Sequence, residues 1–316
     1  MKNSILDVGG LRVGAAHDVK VKTGVSVIIP DKPAICAVDV RGGGPGTRET
    51  AALQDGGLID HVHGIVLAGG SVYGLAAADA VTNWLGAQGI GYVARDGIPP
   101  SPIVPAAILF DNANGGDKNW GESPPFYELG LDACGAMCGH INEGAVGAGF
   151  GASAGIYAGG LGTASESFGG IKIGAMIAAN PVGSPYMPGS DVPWAWPFEV
   201  DGEFGGKRPA PDYQLSAARD TKLEFLKRAG QSTVIGVVAT NAALSQKQLK
   251  RLAIMAQDGI AMAVQPAHTP LDGDTIFALS TGGMACDGPA VLAEMGAAAA
   301  RCVARALMRG VNRAQG

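Results

Sequence analysis

The chain has 316 residues, with 23 Lys and Arg against 28 Asp and Glu and a formal charge of −5. Charged residues make up 16% of it and hydrophobic ones 47%, which argues against intrinsic disorder and supplies material for a sizeable core. So acidic a balance, with so few basic residues, excludes a nucleic-acid-binding role, and no apolar stretch approaches the roughly 20 residues of a membrane helix.

The first residues, Met1 to Asp7, lack a sustained apolar run and meet an acid at once, so no signal peptide is expected. Segments 24–29 and 34–40 read as strands paired across the turn Pro30-Asp31-Lys32-Pro33. A glycine run, Gly42-Gly43-Gly44-Pro45-Gly46, follows. Segment 63–67 reads as a buried strand, and 73–85 as a helix with Leu75, Ala78, Val81 and Leu85 toward one side. A strand is expected at 106–110 and a helix at 126–137. Between Gly144 and Gly170 glycine is too dense for a packed helix, so close approach of backbones is expected there. Segment 171–179 is a buried strand ending at Asn180-Pro181. Residues 182–212, rich in Pro, Gly and aromatics, form an excursion packed on the surface. A short helix is expected to end at 223–228, with Gly230 as its stop.

The last third is the most regular. Segment 233–239 reads as a central strand apolar on both faces. Ser245 and Gln248 form a capping box that opens a helix toward Ala263. A strand at 275–280 follows the Asp272-Gly273-Asp274 turn, and an alanine-rich helix spans 291–308. The pattern is a mixed, layered α/β or α+β domain covering 1–316.

Several motifs invite a chemical reading and then lose it. The five cysteines, Cys36, Cys134, Cys138, Cys286 and Cys302, are odd in number and scattered, which reads as reduced, buried thiols in a cytoplasmic protein. Cys134, Cys138 and His140 have metal-like spacing without an evident fourth ligand, so packing is the expectation. Gly151-Ala152-Ser153-Ala154-Gly155 matches a nucleophile elbow but lacks the helix that should follow, and His268 is its one downstream histidine. The run from Gly147 to Ala152 is a degenerate dinucleotide fingerprint, again without a helix, and the loop at Gly42 to Gly46 lacks the Lys-Ser/Thr of a phosphate-binding loop.

Ser232 is more informative: a small hydroxyl residue placed directly before a buried strand and after a long excursion. An N-terminal Ser can act as nucleophile with its own α-amine as base, once the chain before it has been cut. That amine ordinarily titrates near 8 and is partly neutral at pH 7. By itself, Ser232 reads as no more than the start of a strand. Asn180, where a strand ends, could donate to an oxyanion, and alone it is an ordinary turn signal. Asp272 and Asp274 could hold an α-ammonium, and alone they form a turn.

Together these segments resemble one family. Gly230-Gln231-Ser232-Thr233-Val234-Ile235-Gly236-Val237-Val238-Ala239-Thr240-Asn241-Ala242 and His268-Thr269-Pro270-Leu271-Asp272-Gly273-Asp274-Thr275-Ile276-Phe277-Ala278-Leu279 are similar to the signature of the P1/DmpA peptidases. That group comprises L-aminopeptidase/D-esterases, β-aminopeptidases and nylon-oligomer hydrolases. The likeness extends through the segments 38–49, 67–75, 104–111 and 159–165, nearly the whole chain.

The resemblance implies an α+β fold, an α/β/β/α layered sandwich of the N-terminal-nucleophile type, made as a precursor. It implies self-cleavage between Gln231 and Ser232 into an α chain, 1–231, and a β chain, 232–316. It also implies Ser232 as nucleophile, Asn180 as oxyanion-stabilising residue, Asp272 and Asp274 as paired acids, and a tetramer of αβ units. The expected substrate is a small peptide, β-peptide or ω-amino-acid oligomer cut at its N-terminal amide, with no cofactor, metal, nucleic acid or membrane required. Two departures stand out. Gln231 and Ser232 replace the usual Asn or Gly and, in the nylon branch, Thr. Ala158 occupies the place where that branch has a lysine before its Gly-Gly-Leu-Gly run. The rival readings are an acyltransferase of the ornithine acetyltransferase type and an uncut family member with a binding or assembly role.

Overall fold

The computed structural model describes residues 2–54, 56–217, 220–224, 232–286 and 288–316. Its first strands are β1 (Leu11–Asp18), β2 (Thr23–Pro30), β3 (Ala34–Val40) and the short β4 (Thr47–Arg48). Then come β5 (His61–Val62), β6 (Ile65–Ala68), helix α1 (Ala76–Ala87), β7 (Ala106–Ile108) and helix α2 (Phe126–Gly135). A two-stranded hairpin, β8 (Ser153–Ala154) and β9 (Tyr157–Ala158), precedes the long strands β10 (Gly160–Phe168) and β11 (Ile171–Asn180). The chain closes with β12 (Thr233–Ala242), α3 (Gln246–Ala263), β13 (Thr275–Met284) and α4 (Gly288–Ala314).

Two sheets result, one of five strands in the order β1-β2-β6-β7-β4 and one of six in the order β10-β11-β12-β13-β3-β5. Side-chain alternation along the strands assigns the layers. In β12, Ile235, Val237 and Ala239 join Met176, Phe277, Ile28 and Leu67 in the layer between the sheets. Val234 and Val238, on the other face, pack with Leu252, Ile260, Val303 and Leu307 of α3 and α4. In β2, Val25, Val27 and Ile29 face Val81, Leu85 and Leu129 of α1 and α2. The order helix–sheet–sheet–helix is the layered sandwich expected.

The predicted hairpin between β2 and β3 is corrected. β2 pairs with β1 and β6, whereas β3 pairs with β13 and β5 in the other sheet. Both strands are apolar on both faces, so each finds two neighbours of its own, and Asp31 to Pro33 carries the chain between sheets. The helix expected from residue 73 begins as a 3-10 turn, Ser71–Leu75, before α1. The capping box is present, with Ser245 Oγ accepting from Gln248 N and the Gln248 side chain accepting from Ser245 N. The helix expected to end at 223–228 lies mostly outside the described residues; the last part described is a 3-10 turn, Lys222–Glu224.

Glycine in β10 serves contact with α4. A Cβ on Gly162 would stand 2.0 Å from the Ala306 carbonyl oxygen, and one on Gly160 2.2 Å from that of Gly310. The expectation of five buried thiols needs amending. Cys36, Cys134 and Cys302 are buried, but Cys138, beyond the end of α2, is exposed and Cys286 is half-buried. No helix among the described residues is long and apolar enough to cross a membrane.

Candidate active site

Topology alone brings three distant segments to one end of the six-stranded sheet. β11 runs antiparallel to β12, so the last residue of β11 lies beside the first of β12, and Asn180 pairs with Thr233. β13 runs parallel to β12, so the turn before β13 lies beside the residue before β12. Ser232 and Asp272 accordingly form a parallel bridge, with Ser232 N donating to Leu271 O at 2.9 Å and Gly273 N to Ser232 O at 2.8 Å. Ser232, Asn180, Asp272 and Asp274 are each 1% exposed or less. Gln231, the other residue of the expected cleavage site, lies outside the described residues.

The Ser232 hydroxyl is buried and has no hydrogen-bond partner among the described residues. Buried hydroxyls are nearly always satisfied, so an orphan one calls for a partner other than the residues described.

The two carboxylates are held firmly. Asp272 accepts Val182 N at 3.0 Å on one oxygen and, on the other, Thr269 N at 2.9 Å and Thr269 Oγ1 at 2.6 Å. Burial raises its pKa, and the nearby Asp274 charge raises it further, against these hydrogen bonds. Asp274 accepts Val234 N at 2.7 Å and, on its second oxygen, His268 N at 3.1 Å and the His268 ring Nδ1 at 2.7 Å. Burial opposes charge on His268, but the Asp274 hydrogen bond and charge outweigh it and raise the imidazole pKa. The turn itself rests on the glycine run: Gly44 N donates to Asp272 O at 2.8 Å and Arg41 N to Asp274 O at 2.9 Å. A Cβ on Gly42 would lie 2.1 Å from the Asp272 carbonyl oxygen, so backbone can approach there only without a side chain. The glycine loop, which lacks the residues of a phosphate-binding loop, is a clasp for the acidic turn.

Asn180 is oriented on three sides. Its Oδ1 accepts Ser153 N at 3.0 Å and Lys222 Nζ at 2.9 Å, and its Nδ2 donates to Phe110 O at 2.9 Å. A carboxamide carries two N–H donors, so one remains beyond the Phe110 bond. Ser153 thus serves the site through its backbone; it sits in a hairpin with Ala158 opposite, without the strand–turn–helix of an elbow. Ala158 is exposed, and its carbonyl accepts from Gln315 Nε2 at 2.9 Å.

Sequence reasoning missed Lys222. Its Nζ donates to both the carbonyl and the Oδ1 of Asn180, at 3.1 and 2.9 Å. Desolvation lowers its pKa to about 7 in spite of the opposing Asp272 charge. Nothing local marks it, because its partners lie 42 and 50 positions away. His268, the elbow's one downstream histidine in sequence, instead lies six residues from Asp274 and bonds it through both its backbone N–H and its ring.

The family model of peptidase family S58 matches residues 3–316. An uncharacterized aminopeptidase of Mycobacterium bovis is 40% identical over 99% of this chain and 94% of its own length. A 6-aminohexanoate-oligomer endohydrolase of a Kocuria species is 32% identical over 87% of this chain and 74% of its own. Among solved structures, a Burkholderia β-aminopeptidase superposes with a TM-score of 0.72 at 23% identity, covering 98% of this chain and 86% of that one. The L-aminopeptidase D-Ala-esterase/amidase of Ochrobactrum anthropi, described as a variant of the Ntn-hydrolase fold, gives 0.72 at 22%, covering 98% and 85%. The layered fold, the S58 match along the chain and the relatives at 32–40% identity agree: the chain belongs to peptidase family S58.

Proposed function

We propose that the protein is a self-processing serine amidohydrolase that removes the N-terminal residue of short peptides, β-peptides or ω-amino-acid oligomers. The observation that carries this reading is the buried Ser232 hydroxyl, without a hydrogen-bond partner among the described residues, set between Asn180 and the acidic turn. In the precursor, Ser232 Oγ attacks the Gln231 carbonyl carbon. The C–N bond breaks as the Ser232 nitrogen takes up a proton, and an ester to Oγ remains. Water hydrolyses that ester, freeing the carboxyl of Gln231 and the α-amine of Ser232.

In turnover the neutral α-amine takes the Oγ proton while Oγ adds to the substrate amide carbon. The free N–H of Asn180 donates to the resulting oxyanion. The amine returns its proton to the leaving nitrogen, and water releases the acyl group as an acid. Asp272 and Asp274 hold the turn to which Ser232 is bridged and supply the negative charge that an α-ammonium needs nearby. The relatives named above, an uncharacterized aminopeptidase and a 6-aminohexanoate-oligomer endohydrolase, support an amide of an amino acid as the bond cleaved.

The test is hydrolysis of amino-acid p-nitroanilides, with α-, β- and ω-amino acyl groups compared. Ser232→Ala should lower turnover by at least about 10³-fold and Asn180→Ala by about 10²–10³-fold. Ser232→Thr, which keeps the hydroxyl, should stay active. Turnover in Ser232→Ala at the wild-type rate would refute the assignment.

A further inference from the structure

We propose that Lys222 is the cationic positioning residue of the Ser232 centre, clamping Asn180 through its ammonium and polarising the carboxamide that faces the reacting carbonyl. This inference rests on the functional reading above. The cation comes from the 3-10 turn Lys222–Glu224, upstream of Ser232, while the position that resembles a lysine site in sequence, Ala158, is exposed and bonded through its carbonyl to Gln315.

The clamp has two bonds and a braced origin. Nζ reaches both the main-chain and the side-chain oxygen of Asn180, so it fixes the carboxamide relative to its own backbone. Lys222 N donates to Val182 O at 2.9 Å, and Val182 N in turn donates to Asp272. Just upstream, Asp220 O accepts Ile156 N at 3.1 Å from the β8–β9 hairpin, whose Ser153 N also bonds Asn180 Oδ1. The backbone at Lys222 is therefore tied to two loops that each also touch a member of the site.

The chemistry follows from the acceptor chosen. A cation on an amide oxygen draws electron density from the amide nitrogen, so the remaining N–H becomes a stronger donor to a developing oxyanion. Ser153 N–H on the same oxygen works in the same sense. With Asp272 opposite, the ammonium also offsets one of two crowded carboxylates. Asp272 is the charge facing Lys222 across the site, with Asp274 and His268 behind it. Asp220 lies on the lysine's own segment, beside Tyr157 of the hairpin, whose ring meets that of Tyr186 edge to face; β11 contributes no titratable group at this end. Were the chain cut before Ser232, Lys222 and Asn180 would stay on one fragment and Ser232 and the acids on the other, so the working site would belong to neither alone.

Steady-state kinetics on a p-nitroanilide substrate between pH 5.5 and 9.5 test this in wild type, Lys222→Met, Lys222→Arg and Ser232→Ala. The clamp predicts that Lys222→Met lowers kcat at least about tenfold while KM stays within about threefold, because the lost interaction acts mainly in the transition state. Lys222→Arg should recover part of kcat. Protonated lysine and a neutral α-amine are the active forms, so wild-type kcat should be bell-shaped in pH with Lys222 setting the alkaline limb, and the non-titrating guanidinium should remove that limb. If Lys222→Met is unfolded by its melting curve, the arginine profile decides alone. A Lys222→Met kcat within threefold of wild type, or an alkaline limb unchanged in Lys222→Arg, overturns the inference while leaving Ser232 in place. Turnover that survives Ser232→Ala overturns the underlying reading and this inference with it.

Discussion

The carboxylate of Asp274 accepts the backbone N–H of Val234 at 2.7 Å, fixing β12 two residues past Ser232. The same carboxylate holds His268 through its other oxygen. One buried side chain thus sets both the position of the strand that follows Ser232 and the loop that carries the acidic turn.

Asp274→Asn should expose that double duty. Both oxygens of Asp274 accept, and an asparagine must turn an NH2 toward one of those donors, leaving a buried N–H facing another. We expect a loss of about 1–3 kcal/mol in chemical denaturation, together with reduced turnover. A variant as stable and active as wild type would mean that the acidic turn holds its shape through the glycine clasp alone.

His268 makes stability depend on pH in a defined direction. Its folded-state pKa is raised above the ordinary imidazole value because Asp274 favours the charged ring. Its contribution is therefore fully present below about 6.5 and is lost as pH rises through the higher folded-state pKa. Melting temperatures of wild type and His268→Gln, taken from pH 5 to 9, should differ most at the acid end and converge toward the alkaline end. A gap that widens with pH would reverse the sign and reject the pairing.

Gly162→Ala tests how closely α4 lies on β10. The added methyl meets the Ala306 carbonyl oxygen at 2.0 Å, and neither helix nor strand can yield without moving its neighbours. Overpacking of this kind costs about 1–3 kcal/mol or more, so thermal melting should fall by several degrees. Gly169→Ala, where nothing lies within 4 Å of the added carbon, is a poor control because its φ of +55° is itself strained for alanine. Gly135→Ala, open and at negative φ, is the suitable one.

Ala158→Lys asks whether the vacant family position still matters. Lys222 already serves both oxygens of Asn180, so a second ammonium at an exposed hairpin residue supplies Asn180 with no cation that it lacks. We expect kcat within about threefold of wild type, whereas the same change made in Lys222→Met should restore some of the lost turnover if the new side chain reaches Asn180. A large gain in the wild-type background would show that Lys222 leaves the site short of charge.

Strong local signals carried through from sequence to structure. The uninterrupted apolar run of β12, the Ser245–Gln248 box and the Asp272-Gly273-Asp274 turn are all where periodicity and turn chemistry put them. Those are interactions within a few residues or within one strand. What depends on partners far away in the chain was illegible. β10 is so rich in small residues that its strand character comes from pairing with β11 and contact with α4. The assignment of β2 and β3 to different sheets depends on which neighbours each edge finds. Lys222 looks like any lysine near a helix end until the fold sets it against Asn180.

Self-cleavage is the central claim, and intact-mass measurement with N-terminal sequencing of the purified protein tests it most directly. The account predicts two fragments, 1–231 and 232–316, with the second beginning Ser232-Thr233-Val234, and a single uncut chain for Ser232→Ala. A wild-type chain that remains whole after long incubation yet hydrolyses amides would contradict it, because the free α-amine on which turnover depends would never have formed.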